Sequence, residues 1–259
     1  MSQPKLAIVT GASSGIGLEL AKLAAKDGFD LIVAADTPFV EAGPALEEFG
    51  VEVEQIKADL ATQNGVEQLL QRVGDRDVAV LVANAGHGLG HGFLDQAPEE
   101  WEHVINTNIT GTLLLIQPIV KRMVDRGEGR VLITGSIAGH LAGACQAVYN
   151  GSKAFIDSFA AALNEEIKDS GVTITCLKPG ATETAFFHRA ELDDTKVGQA
   201  KKDGPADVAK TGWEAMKNGE AAVIYGLKNK LQVAAADVMT DAQTAKLHRA
   251  QTEPGSGSK

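Results

Sequence analysis

Apolar runs and helix-length segments alternate along the whole chain. Short runs lie at LAIVT (6–10), LIVAA (31–35), VAVLVANAG (78–86), RVLITGS (130–136), VTITCLKPG (172–180) and AAVIY (221–225). VEVEQIKAD (51–59) alternates with the period of a strand. Helical stretches are predicted at 15–26, up to about Phe49, at 62–73, roughly 99–126, about 147–170 and near 205–217. Thr62 is suited to capping the third of these. Continuous apolar strands separated by helices predict a parallel sheet covered on both faces. Right-handed crossovers then give a doubly wound α/β domain with seven strands, spanning residues 1–250. Residues 186–217 differ in character, with twelve charges, six of each sign. They are expected to leave the sheet edge and cover a substrate site as a lid. The Gly/Ser-rich end, 251–259, is expected to be a flexible tail.

Composition narrows the function. The chain has 259 residues, 44% of them hydrophobic, enough for a core. No apolar run reaches the ~18 residues of a membrane span, so no membrane partner is expected. A net charge of −10 argues against a nucleic-acid partner. The N-terminal residues lack the pattern of a secretory signal. The two cysteines, Cys145 and Cys176, cannot form a disulfide framework. A reduced, cytoplasmic setting is the expectation.

The first strand runs into Thr10-Gly11-Ala12-Ser13-Ser14-Gly15-Ile16-Gly17. Glycines there permit a tight turn, close approach of a phosphate, and helix–sheet contact. The following helix N-terminus offers free N–H groups and a positive dipole end to a pyrophosphate. Gly11 to Gly15 also spell the G-x-S-x-G elbow of α/β-hydrolases. The first strand is an unusual place for that elbow, and Gly17 is needed only by a dinucleotide. Further along, Tyr149 and Lys153 stand four apart at the start of a helix and share a face. A cation beside a phenol favours the phenolate and so suits it to proton exchange.

Taken in order, these residues resemble the short-chain dehydrogenase/reductase (SDR) family over roughly residues 4–226. Thr10 to Gly17 match T-G-x-x-x-G-x-G. Asp59-Leu60 resembles the acidic residue and neighbour that meet the adenine. Asn84-Ala85-Gly86 resembles N-N-A-G, with Ala83 in place of its first Asn. Asn108, Ser136, Y-x-x-x-K at Tyr149 and Lys153, and Pro179-Gly180 with Thr184 complete the series. The resemblance implies a Rossmann fold and hydride transfer between a nicotinamide and a carbonyl or secondary alcohol. It implies Tyr149 as general acid/base, Ser136 on the reacting oxygen, and Lys153 lowering the Tyr149 pKa and holding the nicotinamide ribose. Asn108 is implied to place a water linking Lys153 to solvent. Thr182, Thr184 and the backbone at Ile137 to Gly139 are implied at the nicotinamide end. A homo-oligomer, tetramer or dimer, is also implied. A non-catalytic dinucleotide-binding regulator or scaffold is the alternative.

Asp36 ends the second strand, where a carboxylate can accept from ribose hydroxyls and repel a 2′-phosphate. No Lys or Arg occurs between Lys26 and Lys57, whereas eight acids do. NAD is therefore expected over NADP. His87 and His91 lie four apart, but among Gly86, Gly88, Gly90 and Gly92, so no metal is expected. Cys145 is a candidate to face substrate, and Cys176 reads as core. Substrate specificity is expected in 87–94, 137–148 and 186–205.

Overall fold

Each apolar run forms a strand of one sheet. In the computed structural model, which describes residues 5–258, these are β1 (Leu6–Thr10), β2 (Asp30–Ala35), β3 (Val53–Lys57), β4 (Val78–Ala83), β5 (Gly129–Thr134), β6 (Val172–Lys178) and β7 (Ala222–Ile224). Residues 1–4 of the expected domain and Lys259 of the expected tail lie outside the described residues. All strands pair in parallel in the order β3-β2-β1-β4-β5-β6-β7. The order reverses between β1 and β4, which opens a crevice at their C-terminal ends.

Strand periodicity sorts side chains onto two cores. Ile8, Ile32, Leu81, Val131 and Ile174 face one side. They meet α3 (Gln63–Val73), α5 (Thr112–Arg126) and α6 (Ala147–Glu166) through Leu69, Ile119 and Ile156. Val9, Leu31, Val33, Val82 and Leu132 face the other side, against α1 (Gly15–Lys26), α2 (Ala42–Glu47) and α9 (Pro205–Lys217). Each Leu or Ile buried this way contributes about 1.5–3 kcal/mol. Thr62 caps α3 as expected, its side chain accepting from the Gly65 amide.

Three expectations are corrected. The long helix near 99–126 is α4 (Pro98–Ile105) and α5 joined by a wide π turn at Asn106–Gly111, which carries Asn108. Gly111 sits there because a Cβ would come within 2.0 Å of the Leu60 carbonyl. The stretch 205–217, grouped with the lid, is instead the core helix α9, burying Val208, Trp213 and Met216. Only α7 (Phe186–Arg189) and α8 (Lys196–Gln199) make the excursion.

The third correction concerns the C-terminal end. Two helices follow β7, α10 (Leu227–Ala236) and α11 (Asp241–Thr252). The tail then folds back instead of trailing off. The Gly255 amide donates to Asp194 Oδ2 at 2.6 Å, and the Gly257 amide to the Asp194 carbonyl at 2.9 Å. The Lys196 amide donates to Ser256 Oγ at 3.0 Å. Composition shows that such a segment lacks apolar anchors; it cannot show that Asp194 supplies acceptors for its amides and that the Lys196 amide donates to Ser256.

Asp194→Ala should therefore loosen both partners. Local stability should fall by about 1 kcal/mol, the net value of such a hydrogen bond. Hydrogen exchange should quicken at 195–200 and 253–258 and stay unchanged in β1 and β4. Unchanged exchange in both segments would contradict the docking.

Candidate active site

A hydrogen-bonded knot shapes the crevice. Thr10 Oγ1 donates to the Val82 carbonyl and accepts from the amides of Asn84 and Ala85, both at 3.0 Å. Asn84 Nδ2 donates to the Thr10 carbonyl at 3.0 Å. The chain then turns through Gly11 and Gly15, whose φ values of 66° and 57° favour glycine. Gly17 is required by contact: a Cβ would lie 2.1 Å from the Gly11 carbonyl and 2.5 Å from Asn84 Nδ2. Ser14 at the start of α1 makes no side-chain cap, so the first helical amides point uncapped into the crevice. With Ile16 and Gly17 they line the large cleft. This turn fits a pyrophosphate.

A smaller cavity is lined by Ser13, Asp36, Asp59, Leu60, Ala85 and Gly86, residues expected at the adenosine end. Asp59 Oδ1 accepts from the Ala61 amide at 2.9 Å, which fixes the turn into α3. Ser13 Oγ lies 2.8 Å from Thr37 Oγ1. One group there was not foreseen. Arg189, on α7, brings its guanidinium to 3.9 Å from Asp36 Oδ1. The segment 27–56 lacks cations as expected, yet one arrives from the far side of the cleft.

At the other end a cleft of about 630 Å³ is lined by Ser136, Tyr149, Lys153, Pro179, Gly180, Thr182 and Thr184. Ser136 follows β5 and caps a short turn at Ile137–His140, its Oγ accepting from the Ala138 amide at 3.1 Å. The Ile137 amide donates to the Pro179 carbonyl, which joins the two loops. Thr182 Oγ1 donates to the Gly180 carbonyl, and Thr184 Oγ1 accepts from the Phe186 amide. Lys153 is only 5% exposed and donates to the Thr134 carbonyl at 2.8 Å. Burial lowers its pKa.

Tyr149 is buried, and its pKa is pushed up to about 12, chiefly by burial; a hydrogen bond with Ser136 opposes the rise. Lys153, expected to lower the phenol pKa, donates its ammonium to the Thr134 carbonyl and is not among the groups that oppose the rise. Asn108 lines neither cavity. It lies behind the cleft, accepting from the His87 amide at 2.7 Å and donating to the His87 carbonyl and Ser152 Oγ, both at 2.9 Å.

Comparison with known proteins shows the family. The short chain dehydrogenase family model matches residues 5–195. This chain belongs to the short-chain dehydrogenase family. An oxidoreductase of Staphylococcus saprophyticus is 29% identical over 83% of this chain and 92% of its own. The 3-oxoacyl-(acyl-carrier-protein) reductase of Escherichia coli is 29% identical over 75% of this chain and 80% of its own. A short-chain dehydrogenase from Sphingobium yanoikuyae, solved with NADPH, is 26% identical with a TM-score of 0.78, covering 91% of this chain and 96% of that one. The activity is hydride transfer between a nicotinamide cofactor and a carbonyl or alcohol carbon; a non-catalytic scaffold is not favoured.

Other parts of the dehydrogenase's site were missed or displaced. Phe186 places its ring 5.2 Å from that of Tyr149. It can do so because Gly88 is bare: a Cβ there would lie 2.3 Å from Phe186 Cζ. Met239, Leu247 and His248, from the C-terminal helices, also line the cleft. Cys145, a candidate to face substrate, lies outside the cleft lining, and burial raises its thiol pKa. Cys176 is buried in β6 as expected. His87 packs edge-on to His103, and His91 pairs with Glu191. Among the described residues no cluster suited to a metal exists.

Gly17→Ala should abolish cofactor binding. The new methyl must displace the Gly11 backbone, which is part of the phosphate cradle. NADH affinity by fluorescence titration should fall at least about 100-fold, the effect of more than 2 kcal/mol of lost contact. Wild-type affinity would contradict the geometry.

Proposed function

We propose that this short-chain dehydrogenase is a carbonyl reductase for apolar ketones, working with NADH in preference to NADPH. The observation that carries the reading is the placement of Ser136, Tyr149 and Lys153 in one cleft with the glycine turn. A bound nicotinamide supplies the hydride to the carbonyl carbon. Tyr149 gives its hydroxyl proton to the carbonyl oxygen as charge develops there. Ser136 holds that oxygen and aligns it with the phenol. Lys153, once a ribose lies beside it, anchors the ribose and stabilises negative charge on Tyr149. Asn108 holds the backbone at His87 and supports a water path that returns a proton to Lys153.

Burial of Tyr149 supports its use as the acid of reduction, because it keeps the phenol protonated well above neutral pH. Alcohol oxidation needs the phenolate and should rise as the pH becomes alkaline. The apolar walls formed by Ile137, Leu141, Phe186, Leu192, Met239 and Leu247 support an apolar substrate. Residues 186–204 act as the lid, because α7 and α8 carry part of that wall on short helices. The exposed Leu114 and Phe155, on outward faces of α5 and α6, suit cover by a second copy in a dimer or tetramer.

Tyr149→Phe tests the mechanism. The ring keeps its packing and loses only the exchangeable proton. Turnover with a panel of ketones should fall ~10²–10⁴-fold while NADH affinity stays within about threefold. Near wild-type turnover would overturn the assignment.

Cofactor choice rests on Asp36, with Arg189 opposing it. Asp36 repels a 2′-phosphate, and Arg189 is tied to the Asp36 carboxylate rather than free for it. Asp36→Ala should remove the repulsion and release Arg189, raising kcat/KM for NADPH relative to NADH at least about tenfold. A wild type that prefers NADPH, or a variant with no relative gain, would overturn Asp36 as the selector.

A further inference from the structure

A buried ionic cluster lies directly beneath the Ser136 loop and takes no part in the mechanism above. Its centre is Asp157. Tyr149, Lys153 and Asp157 follow one another at four-residue spacing, so the carboxylate continues the catalytic stripe of α6. The Asp157 side chain is 9% exposed. Its Oδ2 meets the Lys178 ammonium at 3.2 Å. Its Oδ1 accepts from the Cys176 thiol at 3.4 Å. Burial pushes the Cys176 pKa up to about 12, so the thiol is a donor. Cys176 and Lys178 stand two apart on β6 and face α6 together.

The loop is shaped around this carboxylate. A Cβ at Gly135 would lie 2.0 Å from Asp157 Oδ1, and one at Gly139 would lie 2.9 Å from Oδ2. The two glycines bracket Ser136. Only a chain bare at both positions lets the Ser136 turn close over Asp157. The cluster also reaches outward. His140 Nε2 lies 3.1 Å from Lys178 Nζ and 3.8 Å from Asp157 Oδ2, while its Nδ1 lies 3.0 Å from Asp237 Oδ1 at the end of α10. The charged or titratable groups facing Asp157 are thus Tyr149 and Lys153 from its own helix, Cys176 and Lys178 from β6, and His140 from the Ser136 loop.

We propose that Asp157 is a positioning residue: its carboxylate seats the Ser136 loop on α6 and places a fixed negative charge behind Tyr149 and Lys153. This rests on Tyr149 as the proton-exchanging group. A negative charge there resists ionisation of the phenol and favours the ammonium, keeping both protonated before substrate arrives. Lys178 tempers the effect by pairing with the same carboxylate. An ordinary apolar side chain at 157 would fill the space and leave the catalytic pair without this bias.

The test reads Tyr149 directly. The chain has two tyrosines, Tyr149 and Tyr225. The phenolate absorbance of each variant, minus that of the same variant carrying Tyr149→Phe, isolates Tyr149. Asp157→Asn keeps the shape and removes the charge. It should move the onset of Tyr149 ionisation to lower pH by about half a unit or more. Lys178→Met removes the tempering cation and should move the onset to higher pH. NADH affinity should stay within about threefold in both, since neither residue lines the cofactor cleft. An unmoved onset in either folded variant, or movement of both in the same direction, overturns the proposal. Should Asp157→Asn fail to fold, Lys178→Met decides alone, by the same criterion. Full turnover in Tyr149→Phe would instead defeat the functional reading, and it leaves the coupling between Asp157 and the phenol measurable.

Discussion

A buried ammonium organises the catalytic side of the sheet. Moving an unpaired charge of that kind out of water costs several kcal/mol, so Lys153 must have a polar partner wherever α6 docks. It finds the carbonyl of Thr134 at the end of β5. Thr134 Oγ1 in turn donates to Asn84 Oδ1 at the end of β4, and Asn84 Nδ2 donates to the Thr10 carbonyl at the end of β1. One chain of hydrogen bonds therefore runs from Lys153 to the glycine turn. It crosses three adjacent strand ends and ties the two ends of the candidate site together. The apolar cores on either face hold the sheet together; this polar line decides what its upper edge can do.

That division explains what was legible in the sequence. The strands were readable because residues such as Ile8, Val33 and Leu132 are buried whichever face they meet, so the runs are continuous. The candidate site was legible where it sits on strand ends and helix starts: Gly11 to Gly17 and the Tyr149–Lys153 pair stand out by local pattern, whereas Ser136 is marked by the family resemblance. The C-terminal helices were not. In α10 and α11 the buried positions include Asn229, Thr244 and Thr252, while Leu227, Leu231 and Leu247 are exposed. Only Val233 and Ala236 of α10 keep buried apolar positions, so the apolar stripe is broken and periodicity gives little signal. Arg189 and Asp157 were missed for another reason. Each acquires meaning only through a tertiary partner, Asp36 for one and Lys178 for the other.

The site combines a fixed floor with a walled roof. Floor residues belong to the sheet and α6, and their hydrogen bonds leave little freedom. The roof comes from α7, α8 and the C-terminal helices. The tail at 253–258 is bonded to the loop before α8 and to α8 itself, and Thr252 donates to the Ala144 carbonyl in the loop beside Tyr149. On the proposed reading, chemistry and selectivity are carried by different parts of the chain. Changes in the roof should alter which carbonyl enters without altering how its oxygen is protonated.

The central claim is that this crevice carries a hydride to a carbonyl carbon. The most direct measurement follows the hydride itself, using NADH labelled with deuterium at both C4 positions and a set of aryl and alkyl ketones. The account predicts that deuterium appears on the carbinol carbon of the product, with cofactor oxidised in equal amount. Tight NADH binding with no label transferred to any ketone, and none recovered in the reverse reaction from a labelled secondary alcohol, would contradict it.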